Sequence, residues 1–149
     1  MPIVSRVFTL GLLVVPALAA QERPPEVKYL APSGALAGLP FSPAVRVGHI
    51  LYLSGQIGTD STGRVVSGGI EAETRQTLTN IKAVLEAGGS SMSKVVKCLV
   101  MLADIGEWPR MNAVYVTFFP GNKPARSAFA ATGLALGARV EIECMATVP

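Results

Sequence analysis

The sequence predicts one α+β domain: a mixed β-sheet with two helices packed on one face. Three observations predict it. The chain has 149 residues, which suits a single core and is short for two. Its apolar periodicity runs strand, strand, strand, helix, strand, helix, strand, strand. Both helical stretches lie between strands, so each should cross the same side of one sheet.

Residues 21–44 are rich in Pro, Ala and Gly, with one short strand expected over Val27 to Leu30. Ala44 to Ser54 reads as two strands joined at Gly48-His49, the apolar residues being Val45, Val47 and then Ile50 to Leu53. Thr59 to Gly63 is a polar turn, and Arg64-Val65-Val66 is expected as a short edge strand. Ile70 to Ala87 is the clearest helix. Ile70, Leu78, Ile81 and Leu85 recur at helical spacing, Glu71 and Glu73 sit with Arg75, Gln76 and Lys82 on other faces, and Gly88-Gly89 closes it. Val95 to Leu102 is apolar except for Lys97 and should be an inner strand. A second helix is expected from Pro109 to Phe119, with Met111, Val114, Tyr115 and Phe118 on one side. Ser127 to Ala131 and Arg139 to Val148 complete the sheet.

In the run from Val96 to Ala103, Val96, Cys98, Val100 and Leu102 alternate with Lys97, Leu99, Met101 and Ala103. A strand apolar on both faces in so small a domain points to a second copy covering the open face. An oligomer is therefore expected, the alternative being ordinary exposed Leu and Met.

The N-terminus carries its own message. Arg6, an apolar stretch from Val7 to Leu18, the small residues Ala17-Leu18-Ala19 and then Gln21-Glu22-Arg23 follow the order of a secretory signal peptide. The apolar run is too short to span a bilayer of roughly 30 Å. Residues 1–19 are thus expected as a cleavable signal and 20–149 as the mature domain, secreted or periplasmic, without stable membrane association. A misassigned start would leave the protein cytoplasmic. Export permits a disulfide, but Cys98 and Cys144 both lie in apolar strands where free Cys is a common small hydrophobe, and they are expected to be unpaired.

Composition excludes several classes. Half of the residues are hydrophobic, 15% are charged and the net charge is only +3, with Lys and Arg scattered singly. No basic stripe suits a nucleic-acid groove. The one histidine, His49, falls in a turn, and the two Cys form no CxxC, so no metal or cofactor is expected. A Ser-His-Asp triad lacks its GxSxG elbow, and no phosphate-binding Gly loop occurs.

Two segments remain. On the last strand Arg139, Glu141, Glu143 and Met145 share one face, while Val140, Ile142, Cys144 and Ala146 share the other and should meet the helices. If a subunit covers the first face, its carboxylates are desolvated and their pKa values rise into a range useful for acid–base work. Alternatively they form a solvated ladder neutralised by Arg139. Arg126 follows Pro124-Ala125 at a strand entrance. Its fork suits bidentate capture of a carboxylate; otherwise it is an ordinary surface residue, or the partner of Glu141 or Glu143.

Four ordered motifs then carry a family resemblance. Tyr52-Leu53-Ser54-Gly55-Gln56-Ile57-Gly58, the helix segment Thr74 to Lys82, Met111-Asn112-Ala113-Val114-Tyr115 with Phe118-Phe119, and Pro124-Ala125-Arg126-Ser127 followed by Val140-Glu141-Ile142-Glu143 resemble the RidA (YjgF) family. The resemblance covers residue 26 to the C-terminus. It implies a chorismate-mutase-like fold, a homotrimer with a ligand cleft at each interface, and cofactor-free hydrolysis of 2-imino or enamine acids to 2-keto acids and ammonia. Carried over by position, Arg126 would bind the substrate carboxylate and Glu141 would activate water. Gly55, with Ser54, would line the cleft, and Asn112 would lie near it. Two residues depart from the pattern: Ala128 stands where many relatives have Cys, leaving its backbone N–H as a ligand, and Phe41 stands where many have Tyr. The alternative function is a non-catalytic exported ligand-binding or chaperone-like trimer. The family has also been linked to RNA cleavage, against which the scattered charges and lack of a His pair argue.

Overall fold

The computed structural model describes residues 24–31 and 38–149. The expected signal peptide and the first mature residues lie outside the described residues. Seven strands form one sheet: β1 (Val27–Tyr29), β2 (Ala44–Val47), β3 (Ile50–Leu53), β4 (Gln56–Ile57), β5 (Val95–Leu102), β6 (Ala125–Ala130) and β7 (Val140–Thr147). Their order is β1-β2-β3-β7-β5-β6, with β4 also pairing with β7. Helices α1 (Gly69–Ala87) and α2 (Trp108–Phe118) supply the crossovers. β5 and β6 are parallel, joined through α2, and the other pairs are antiparallel. The expected α+β architecture is what the chain adopts.

α1 forms because Ile70, Thr74, Leu78, Ile81 and Leu85 make one buried stripe at helical spacing. Its end is a Schellman arrangement. Gly89 takes φ +79°, Gly89 N–H donates to the Glu86 carbonyl, and Ser90 N–H donates to the Leu85 carbonyl. One residue departs from its expected side: Glu73 is buried against the sheet, where a carboxylate oxygen accepts from Arg139 N–H at 2.7 Å.

Three further expectations are corrected. Arg64 to Val66 makes only an isolated bridge, Thr59 to Val65, because a polar turn leaves too little chain to pair. The missed strand is β4, only two residues long and so beneath any periodicity test. At the start of β5 a register shift between Val95 and Lys97 buries Val95 and leaves Val96 exposed, reversing the expected side of Val96. An extra residue flips the faces of everything before it.

Beyond that shift the parity holds. Cys98, Val100, Leu102, Val140, Ile142, Cys144 and Ala146 are buried beneath the helices. Cys98 and Cys144 are direct cross-strand partners with Cα atoms 4.1 Å apart, and they form a disulfide. The expectation of unpaired cysteines is overturned, because sequence spacing says nothing about register and register put them opposite each other.

Candidate active site

The residues singled out from the sequence fall into two groups on opposite sides of the sheet. Strand register decides this. On β5, Cys98 is the partner of Arg126 and Met101 is the partner of Glu141. Positions 98 and 101 differ by an odd number, so the two side chains leave the sheet on opposite faces. Arg126 therefore lies on the helix side and Glu141 on the open side. They are not brought together within one chain.

The first group surrounds Glu141. Between the pairs Tyr52–Met145 and Gln56–Ile142, the β3–β4 strand has three residues, Leu53 to Gly55, where β7 has two. This bulge turns Gln56 inward, where its side-chain amide donates to the carbonyls of Ser54 at 3.1 Å and Gly55 at 3.2 Å. Gly55 is pressed against Glu141: a methyl added there would overlap the carboxylate, so glycine is needed for close approach. Ser54 Oγ donates to the Ser42 carbonyl at 2.7 Å, which ties the segment carrying exposed Phe41 to the same group. Ser54, Gly55 and Glu141 thus lie together as a candidate half-site, with Phe41 on the segment tied to Ser54.

Glu141 is half-buried, and its pKa is raised above the usual glutamate value, chiefly by burial and then by the charge of Glu143. Arg139 does not neutralise it. Its guanidinium instead grips Glu107 at 2.6–3.1 Å through Nε and a terminal nitrogen. The neutralised ladder is not formed.

The second group surrounds Arg126. Its guanidinium carbon lies 4.5 Å from the Tyr115 ring centroid and 5.8 Å from that of Trp108, within cation–π range. Among the described residues no carboxylate pairs with it. Trp108, Asn112 and Tyr115 recur at spacings of four and three, so α2 presents them along one side. The Asn112 amide oxygen and the Tyr115 hydroxyl are both buried without a partner among the described residues. Burial pushes the Tyr115 phenol up to about 12, with the Arg126 charge pulling the other way, so it stays protonated at neutral pH. Ala128 follows Arg126 on the same face, partly buried against the core. Asn112, Arg126 and Ala128 thus form a second half-site. Trp108 and Tyr115 complete it. Tyr115 is buried in the core as its periodicity predicts; Trp108 is not singled out by apolar periodicity, although its helical spacing to Asn112 and Tyr115 carries the signal. His49 lies exposed in the β2–β3 turn, away from both groups.

A single sheet with two helices on one face, offering an unpaired arginine on one side and a desolvated carboxylate on the other, defines a compact α+β class with a divided polar site. The sequence pattern of the Endoribonuclease L-PSP family matches residues 33–148, and the chain belongs to that family. The resemblance drawn from the four motifs is therefore family membership. The chain is 44% identical over 108 residues to the mouse (Mus musculus) 2-iminobutanoate/2-iminopropanoate deaminase, covering 72% of this chain and 80% of that protein. It is 40% identical over 110 residues to Reactive Intermediate Deaminase A, chloroplastic, of Arabidopsis thaliana, covering 73% of this chain and 59% of that protein. Among solved structures, RidA from an Antarctic Psychrobacter superposes with a TM-score of 0.76 at 36% identity, covering 81% of this chain and 99% of that one. The Escherichia coli YjgF product superposes with a TM-score of 0.74 at 33% identity, covering 80% of this chain and 98% of that one.

Proposed function

We propose that the protein hydrolyses reactive 2-imino acids of the 2-iminopropanoate or 2-iminobutanoate type to 2-keto acids and ammonia. The observation that carries this is Arg126: a half-buried guanidinium, stacked on Tyr115, with its hydrogen-bonding edge unused by any carboxylate of the described chain. Such a fork, held against a ring and free of partners among the described residues, is available to take a ligand carboxylate.

The reaction then uses few parts. Arg126 holds the substrate carboxylate and so fixes the C=N carbon. Glu141 accepts a proton from water as its oxygen bonds to that carbon, giving a tetrahedral aminol. That proton passes to nitrogen, the aminol hydroxyl proton follows it through Glu141, the C–N bond breaks, ammonia leaves and the C=O forms. Positioning with one general base suffices for a substrate that already hydrolyses in water.

Because the two half-sites face opposite sides of each sheet, the working site takes Arg126, Asn112 and Ala128 from one copy and Glu141, Ser54, Gly55 and Phe41 from a neighbour. A closed homotrimer supplies three such clefts. Its contact surface is the open sheet face, where Tyr52 is 42% and Phe129 46% exposed and Leu99, Met101 and Met145 are half-buried. Export through the signal over residues 1–19 belongs to the same proposal, supported by the Cys98–Cys144 disulfide, a pairing favoured in oxidising compartments. N-terminal sequencing of the mature protein is expected to begin near Ala20 or Gln21, and a start at Met1 or Pro2 would contradict export.

The activity test follows keto acid release from freshly generated 2-iminopropanoate. Arg126→Ala is expected to abolish acceleration, and Glu141→Gln to lower kcat by about 10²–10⁴-fold. A parent protein no faster than buffer overturns the proposal.

A further inference from the structure

We propose that Trp108 is a specificity-determining residue that turns this site toward 2-imino acids with aromatic or large apolar side chains; this rests on the imine reading above. Trp108 is the sole tryptophan of the chain. Trp108 is 40% exposed in the single chain and its ring lies 5.8 Å from the Arg126 guanidinium carbon, while Tyr115, whose ring is nearer, is only 4% exposed. Tyr115 therefore backs the arginine. The indole is the apolar surface left open beside it.

A bound 2-imino acid would carry its side chain past the edge of the guanidinium, on the length scale of the Trp108 separation. A carboxylate held bidentately has its carbon about 4 Å from the guanidinium carbon. The side chain starts two bonds further on, in the same distance range as the Trp108 ring. Ala128 adds a methyl on the Arg126 face, where a larger residue would fill space. The start of the helix that carries the indole is also anchored. Glu107, immediately before it, is 7% exposed and takes both arms of Arg139 at 2.6–3.1 Å, anchoring the start of α2 to the start of β7. A substrate methyl would leave most of this surface wet, whereas a phenyl or isobutyl group covers it, and a fixed aromatic wall favours a planar partner.

The test compares imines generated in situ from L-alanine and L-phenylalanine by an amino acid oxidase. The parent is expected to show a kcat/KM at least about tenfold higher for the phenylalanine-derived imine, a contrast in the range apolar pockets achieve. Trp108→Ala should reduce that ratio by at least about tenfold, and Trp108→Phe should keep most of it. Loss of arginine stacking alone lowers both rates together, so the ratio isolates side-chain recognition. A parent ratio at or below one, or a ratio unchanged in Trp108→Ala, overturns the inference. A second measurement separates it from the function it rests on. Titration of the sole tryptophan's fluorescence with 3-phenylpropanoate and with propanoate should show tighter binding of the aromatic acid. Preferential binding without hydrolysis of either imine would sink the deaminase reading and leave the recognition standing. Equal or absent binding of both acids would sink the recognition itself.

Discussion

At the scale of single residues the proposed chemistry depends on two environments. Arg126 is a delocalised cation against a ring, an arrangement that a lysine does not reproduce because its ammonium has neither the plane nor the fork. Arg126→Lys is accordingly expected to retain little activity, with the loss read mainly in KM for the imino acid. Glu141 has a folded-state pKa above its ordinary value, because burial and Glu143 both disfavour the anion. The sign for function is direct: the base works only when ionised, so kcat/KM should rise with pH along a limb lying above the usual glutamate range. The sign for stability is opposite. A raised carboxyl stabilises the fold most when protonated, below the unfolded value, and that contribution is lost as pH rises through the folded one. Glu143→Gln removes the neighbouring charge and should move the activity limb toward lower pH. A pH–rate profile unchanged by that substitution would separate the limb from Glu141.

At the scale of elements, β7 does the most. It pairs with β3, β4 and β5, carries Glu141 on one side and contributes Ile142 and Cys144 to the core on the other. The disulfide joins it to β5 in the row that also contains Arg126, since Cys98 is the register partner of both Cys144 and Arg126. The bridge closes a loop across a sequence separation of 46 residues. A loop of that size is expected to stabilise the domain by about 2–4 kcal/mol, chiefly through the unfolded chain. Denaturant unfolding of oxidised and reduced protein measures it; coincident curves would mean that the bridge contributes nothing. The elements were largely legible in the sequence: α1, α2, β1, β2, β3, β5, β6 and β7 were anticipated within one or two residues at most ends. β4 was not, because two residues carry no period. The face of Val96 was wrong because one inserted residue is invisible to a rule that counts by twos.

At the scale of the whole molecule, Arg126 and Glu141 lie on opposite faces of one sheet, so the proposed site takes its two halves from different copies. Co-expression of Arg126→Ala and Glu141→Gln chains tests this without a structure of the assembly. Each variant alone should be nearly inactive. If each cleft takes its arginine from one copy and its glutamate from the next, random mixed trimers restore about a quarter of the parent activity, because one junction in four joins two intact halves. No restoration in mixed oligomers would mean that the pair acts within one chain. The proposed assembly would also cover the apolar residues of the open sheet face, which a lone domain exposes to water.

What the sequence determined by itself was the family and the residue types available for its chemistry. An arginine after Pro-Ala, a glutamate among alternating Val and Ile, and four ordered motifs are local features, readable without coordinates. Side-chain period told which residues of β7 face the core, because alternation is a property of the strand alone. Tertiary structure decided everything that depends on register between distant strands. It put Cys98 opposite Cys144, gave Arg139 to Glu107 in place of the β7 carboxylates, and brought Trp108 and Tyr115 over Arg126. It also put Arg126 and Glu141 on opposite faces, because pairing between β5, β6 and β7 is set by packing over the whole sheet and not by any stretch of chain.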